Sequence, residues 1–274
     1  MLKFAVAGSP SSTPPPGGTV EGLRRARELG ITAMEIEWVQ NVPAHKERVR
    51  EIRAVAEELK MALTVHAPYY VNLNTPERAK LAASKQRVLQ ALEMAEVAGA
   101  VSVCVHAAFN LKMDPEGVYA NVHDAVEEIM EKKTKLFPHV NLALETMGKP
   151  SQFGTLDEVL RISKEFGLYP CVDFAHIHAR NQGKFNTAEE WSVLLGAYEK
   201  VLGKSPLAHM HIHYSGINYG PSGERKHLPL EESDANWKEF LAVLKKRKVG
   251  GVLVCESPDA EKDTLLLQRA YKDL

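Results

Sequence analysis

Residues 171–181 read CVDFAHIHARN. The segment begins as a buried strand, then places Asp173, His176 and His178 within six positions, where a strand should give way to a loop. Similar residues close other apolar runs. His66 ends MALTVH (61–66), His106 ends VSVCVH (101–106), Glu145 ends VNLALE (140–145) and Glu256 ends GGVLVCE (250–256). His209, His211 and His213 fall in PLAHMHIH (206–213), and Glu224 and His227 lie in the loop beyond it. Of the eleven histidines, only His45, His123 and His139 are expected on helices or at the opposite end. Taken singly, a strand-end His or Glu is more often a hydrogen-bonded or ion-paired structural group. Collected on one rim, so many carboxylates and imidazoles are costly to desolvate without a compensating cation. The expectation is a multinuclear metal site. Mixed imidazole and carboxylate donors suit Zn2+, with Mn2+ or Fe2+ as competitors, and disfavour an all-oxygen Mg2+ site. Two such ions a few Å apart can clamp phosphate oxygens during in-line displacement, which points to phosphate-ester hydrolysis.

Bringing these groups together requires a repeating scaffold. FAVAG (4–8) and AMEIEWV (33–39) read as the first two strands, separated by a helix that Gly30 closes. An amphipathic stretch at 43–60 precedes the third strand, and helices at 76–98, 114–133 and 155–166 separate the next ones, the last closed by Gly167. LYPCVD (168–173), a helix at 187–202, PLAHMHIH, a Gly/Pro-rich loop, a helix at 234–247, GGVLVCE and a helix at 260–273 complete the chain. Eight strand–helix units at this spacing predict an α/β protein of the (β/α)₈ TIM-barrel type, one domain over residues 1–274. The alternative, an open doubly wound sheet, lacks its Gly-rich fingerprint, because prolines interrupt SPSSTPPPGG after the first strand. In a barrel the C-terminal strand ends form the active face. Strand parity then turns Cys104 and Ser102 inward with His106, Ala143 and Asn141 with Glu145, and Cys171 with Asp173. Cys255 is expected to point outward to the helices, and all three cysteines read as core thiols of an intracellular protein.

Bulk composition adds limits. A net charge of −1 provides no global basic field for nucleic acid, so any such contact must be local. Lys132, Lys133 and Lys135, the 245–248 run and Arg225 with Lys226 are the local patches, each more simply read as a solvated helix end or loop. The N-terminus does not read as a signal peptide, no run approaches the ~18 apolar residues of a membrane span, and a cytoplasmic location without membrane contact is expected.

Six motifs, HAPYYVNLN (66–74), VCVHAAF (103–109), LALETMG (142–148), VDFAHIHA (172–179), HMHI (209–212) and LVCESP (253–258), resemble the endonuclease IV family of apurinic/apyrimidinic endonucleases. They are most similar to its archaeal-type branch, within the xylose isomerase-like superfamily. The resemblance runs strand by strand along essentially the whole chain. It implies a (β/α)₈ barrel with two or three Zn2+ ions that cleaves the DNA backbone 5′ to abasic sites. By position, His66 and His106 bind one zinc, Glu145 bridges it to a second, and Asp173, His211 and Glu256 complete that second site. His176 and His227 bind the third, and Glu145, Asp173 and Glu256 are the catalytic carboxylates. Tyr69, with its neighbour Tyr70, is similar to the family's minor-groove wedge, and Gln40 and Asn41, following Trp38, to a second DNA-contacting loop. The implied partner is double-stranded DNA with abasic sites, met by a monomer. There are departures. The family's Asp-x-His after strand seven is replaced by GERKHLPL (223–230), which makes Glu224 a possible ligand, and HIHY adds His213 as a further ligand or an acid/base. His178 has no assigned role. A metal-dependent sugar or sugar-phosphate isomerase on the same barrel is the competing expectation, and a non-catalytic metal-bound binding protein the third.

Overall fold

Short apolar runs without polar alternation are buried on both faces, as parallel strands covered by helices are. A computed structural model describes residues 1–274. Its strands are β1 (Leu2–Ala7), β2 (Ala33–Glu37), β3 (Ala62–His66), β4 (Ser102–Val105), β5 (Asn141–Leu144), β6 (Cys171–Asp173), β7 (Met210–Tyr214), the hairpin β8 (Gly216–Gly220) and β9 (Gly223–Leu228), and β10 (Gly251–Cys255). The helices are α1 (Thr19–Glu28), α2 (Lys46–Glu58), α3 (Arg78–Ala98), α4 (Pro115–Leu136), α5 (Leu156–Phe166), α6 (Phe174–Arg180), α7 (Ala188–Leu202), α8 (Trp237–Lys246) and α9 (Ala260–Asp273). Eight parallel strands pair in the order β5-β4-β3-β2-β1-β10-β7-β6, and a bridge between Glu145 and Cys171 joins the two ends. This is the (β/α)₈ TIM barrel that the alternation predicts. No helix is long and apolar enough to cross a membrane.

Local signals set the helix limits. Thr155 with Glu158 and Thr187 with Glu190 form reciprocal capping boxes at the starts of α5 and α7. Gly167 ends α5 at φ 66°, a left-handed conformation that glycine adopts without a Cβ clash.

The large side chains pack between barrel and helices, with Leu23, Leu92, Trp191 and Phe240 fully buried there. Inside the barrel the residues are small: Ala5, Ala33, Val252 and Val254 group together, as do Cys104, Ala143 and Cys171. Barrel interiors are usually filled by bulky branched side chains. Here the small ones leave room for the buried polar side chains Glu35, Thr64, Ser102, His211 and His213. Cys255 packs among the outer apolar residues, as parity predicts.

Three segments depart from the sequence reading. Residues 205–209 form a 3₁₀ turn ahead of β7, so His209 sits at the N-terminal end of its strand and not on the rim. The Gly/Pro-rich loop contains the β8–β9 hairpin, whose strands pair only with each other. The end of β6 passes directly into α6, because the Asp173 carboxylate caps that helix by accepting the His176 N–H at 2.8 Å.

Candidate metal centre

The rim is organised around Glu145, which ends β5 fully buried. Its Oε2 lies 2.8 Å from His106 Nε2 and 3.6 Å from His66 Nε2, and the two imidazole nitrogens are 3.3 Å apart. Its Oε1 faces the other way, 3.5 Å from His213 Nδ1. His213 Nδ1 is also 3.3 Å from Glu256 Oε2. Asp173 Oδ2 joins this second set, in which one ligand atom each from Glu145, Asp173, His213 and Glu256 lies within 4.8 Å of the others. A third set lies beyond: His176 Nε2 is 3.4 Å from His227 Nε2 and 3.5 Å from Glu224 Oε2. Zinc bonds of ~2.0–2.1 Å in a tetrahedron place neighbouring ligands roughly 3.3 Å apart, close to the spacing in all three sets.

The residues present fit divalent cations on a specific observation. Glu145 Oε1, Asp173 Oδ2, His213 Nδ1 and Glu256 Oε2 are buried and make no hydrogen bond, although His176 Nδ1 stands in ion-pair range of the first two, at 3.2 and 3.1 Å. A buried polar atom left unpaired costs roughly 1–3 kcal/mol, more when charged. A cation between these four converging atoms would pair them all. The ligand histidines are also pre-oriented. Nδ1 of His66 donates to Ala67 O (2.8 Å), Nδ1 of His176 to Thr146 O (3.1 Å) and Nδ1 of His227 to Glu256 O (2.9 Å), which leaves each Nε2 free as a donor to metal.

Charge follows the same geometry. Burial raises the Glu145 carboxyl, but His106 and its other imidazole neighbours hold it well below the usual range. Burial acts likewise on Glu256, and His213 brings it down to about 2. Burial lowers the His66 imidazole, but the Glu145 hydrogen bond and Glu37 push it up to about 10. His176 and His213 are raised well above the ordinary value against burial, mainly by Asp173 and by Cys171 with Glu256 respectively. Burial pushes Asp173 up to about 6 and Glu37 up to about 8.

The rim brings together His66, His106, Glu145, Asp173, His176, His227 and Glu256, with Glu224 and His213 added. His211 is the correction. In register, Asp173 pairs with His213, whereas His211 pairs with Cys171 one layer deeper. The period of two therefore puts His213, not His211, among the upper carboxylates, and His211 is held by Glu35 and Ser102 inside the barrel. His178 turns away and is fixed by Lys184 O (2.9 Å) and Asp234 (3.2 Å). Tyr69 packs edge-on against His66, with ring centroids 5.0 Å apart, while Tyr70 points out at 67% exposure. Gln40 and Asn41 are both exposed on the loop after β2, and Trp38 is buried. Residues that the sequence did not single out are Glu35, Glu37, Phe109, Lys149 and Gln152. The last three line the cavity of about 270 Å³ above the centre. Only the Glu-x-Glu repeat in AMEIE, polar at alternate positions of an apolar strand, gave a readable signal for the first two.

The hairpin supplies Glu224 and His227 because it docks closely on the β5 loop. Glu224 N donates to Gly148 O at 3.0 Å, and a Cβ on Gly148 would lie 2.7 Å from Glu224 Cβ.

The chain belongs to the xylose isomerase-like TIM barrel family, whose model matches residues 23–273. Among relatives, it is 36% identical over 274 residues to the uncharacterized protein MJ0133 of Methanocaldococcus jannaschii, covering 100% of this chain and 98% of that one. A probable endonuclease 4 of Enterococcus faecalis is 28% identical over 170 residues, spanning 60% of this chain and 55% of the relative. Among solved structures, a D-tagatose 3-epimerase-like protein superimposes with a TM-score of 0.74 at 18% identity, covering 99% of this chain and 97% of the other. Endonuclease IV from Thermus thermophilus gives 0.71 at 19% identity, with 99% of each chain covered. The likenesses to solved structures show the fold.

Proposed function

We propose that the protein is a metal-dependent phosphodiesterase, with Zn2+ as its preferred ion, that incises double-stranded DNA on the 5′ side of abasic sites. The observation that carries this reading is the division of Glu145 between two ligand sets, with the histidine pair His66 and His106 on one side and the four unpaired atoms on the other. Bound divalent ions would supply Lewis-acid stabilisation of phosphate oxygens and activation of water at neutral pH. Glu145, Asp173, Glu256, His66, His106 and His213 would hold the two central ions; His176, His227 and Glu224 would hold a third. Lys149, on the cavity wall, is placed to pair with a phosphate oxygen. Tyr70 is the wedge that fills a gap in the base stack, while Tyr69 braces the two histidines from outside. Arg87 steadies the wedge loop by donating to Tyr70 O at 3.1 Å. Gln40 and Asn41 extend the contact along the DNA. The protein acts as a cytoplasmic monomer, and residues 1–274 work as one domain.

One observation favours a second reading, a metal-dependent sugar isomerase or epimerase. The Glu145, Asp173, His213 and Glu256 set is complete without the flanking histidines, and a cavity of about 270 Å³ suits a small polar substrate. A nicking assay decides between them. A labelled duplex with one abasic-site analogue is incubated with protein as purified, stripped by chelator, and reloaded with zinc. A zinc-restored nick 5′ of the lesion is expected. Absence of a nick with every metal tested, together with turnover of a ketose, would sink the nuclease reading.

A further inference from the structure

The ligand histidines of the rim differ in what stands behind them. His66 and His227 each rest on a neutral backbone carbonyl, and His176 Nδ1 meets Thr146 O at 3.1 Å with carboxylates of the rim itself, Asp173 and Glu145, 3.1 and 3.2 Å away. His213 instead faces a carboxylate deeper in the barrel: its Nε2 lies 2.9 Å from Glu35 Oε1, an ion-pair contact outside hydrogen-bond geometry, and 3.2 Å from His211 Nε2. Glu35 is fully buried, and its other oxygen lies 2.8 Å from His211 Nε2. His211 Nδ1 is in turn 3.1 Å from Ser102 Oγ, which accepts from Asn141 Nδ2 at 3.3 Å. The chain Asn141–Ser102–His211–Glu35–His213 thus crosses the barrel interior from β5 to β2 and back to β7, and it ends at the unpaired Nδ1 of His213.

We infer that Glu35 is a positioning residue for the metal centre: through His213 it orients and enriches the one imidazole of the central set, and His211 and Ser102 hold it there. The inference rests on the reading that the four unpaired atoms hold a cation. A carboxylate inside a barrel is costly unless it is paired, and both of its partners are imidazoles. A carboxylate behind a ligand imidazole fixes its tautomer and ring plane, and it raises the basicity of the nitrogen that faces the metal. A backbone carbonyl does the first but carries no net charge for the second. Small neighbours make the arrangement possible, since Ala33, Cys104, Ala143 and Cys171 leave the axis open where Glu35 and His211 meet. The role reassigns His211, which supports the ligand His213 from one layer below.

The test is Glu35→Gln, which keeps the shape and removes the charge. Affinity for Zn2+ is read by competition with a chromophoric chelator, and the central site is read by the visible absorption of the Co2+-loaded protein. The expected result is a loss of affinity of about 10–100-fold with a displaced cobalt spectrum, in a protein whose circular dichroism is unchanged. Equal affinity and an identical spectrum in a folded variant overturn the inference while leaving the metal reading intact. If the wild-type protein takes up no divalent ion, both fall. Should Glu35→Gln not fold, Ser102→Ala loosens the same chain from its far end. A smaller loss in the same direction with a shifted spectrum is then expected, and no change in either overturns the inference.

Discussion

The two mouths of the barrel hold cavities of opposite character. The one at the N-terminal strand ends is larger, about 430 Å³ against about 270 Å³ at the C-terminal ends. It is lined by Lys3, His139, His209 and His211 among others, with no carboxylate. The smaller cavity carries Glu145, Glu224 and Glu256 facing His66, His106, His176 and His227. Volume does not distinguish a site here. What distinguishes it is unpaired polarity: four buried ligand atoms converge without hydrogen bonds at the upper mouth. At the lower mouth, the buried polar atom without a partner is the hydroxyl of Thr64. The upper mouth is held in an arrangement that hydrogen bonding within the chain does not satisfy, and such residual frustration marks function.

That contrast can be broken or sharpened by experiment. The largest effect is expected from Glu145→Gln, which removes the charge shared by both central sets. Turnover should fall by at least about 10²–10³-fold with the thermal transition still cooperative, and near-normal turnover would remove the two-ion assignment. Next comes pH. His66 is raised to about 10, and His176 and His213 also lie above their ordinary values, so at neutral pH all three hold protons that a cation must displace. Metal affinity should therefore rise with pH, by up to about tenfold per unit for each displaced proton. A chelator titration at several pH values checks this, and a flat or falling profile contradicts it.

A smaller effect is expected from Tyr70→Ala, which should weaken binding to abasic duplex by ~1–3 kcal/mol and exceed the effect of Tyr69→Ala on binding. Fluorescence anisotropy measures both, and the reverse ranking would assign the wedge to Tyr69. Gly148→Ala should displace Glu224 and cost one equivalent of bound metal, measured by elemental analysis, with the other equivalents retained. The smallest effect belongs to the lower mouth. His209→Ala should change activity and stability by no more than about 0.5 kcal/mol, as exposed substitutions away from a site do. A large loss there would give the lower cavity a role that its chemistry does not suggest.

How much of this was legible in the sequence differs from residue to residue. His66, His106, Glu145, Asp173 and Glu256 could be read because each follows an apolar run, and strand ends in a closed barrel share one face. The order of the strands followed from alternation of strand and helix, which chirality restricts to few topologies. Ala143, Cys104 and Cys171 could be placed inside by parity alone. The choice between His211 and His213 could not be read. It depends on where β7 begins, and PLAHMHIH gives no sign that its first residues form a 3₁₀ turn. A strand slipped by two residues keeps its parity, so only the pairing of His213 with Asp173 and Val254 settles the layer. Glu35, 176 positions from His211 along the chain, becomes its partner only when the barrel closes. Glu224 reaches His176 only because a hairpin too polar to read as strand folds back onto Gly148. Local pattern thus determined which side chains the strands carry to the rim. Tertiary closure decided which of them meet, because register and layer are set by pairing between strands that are distant in sequence.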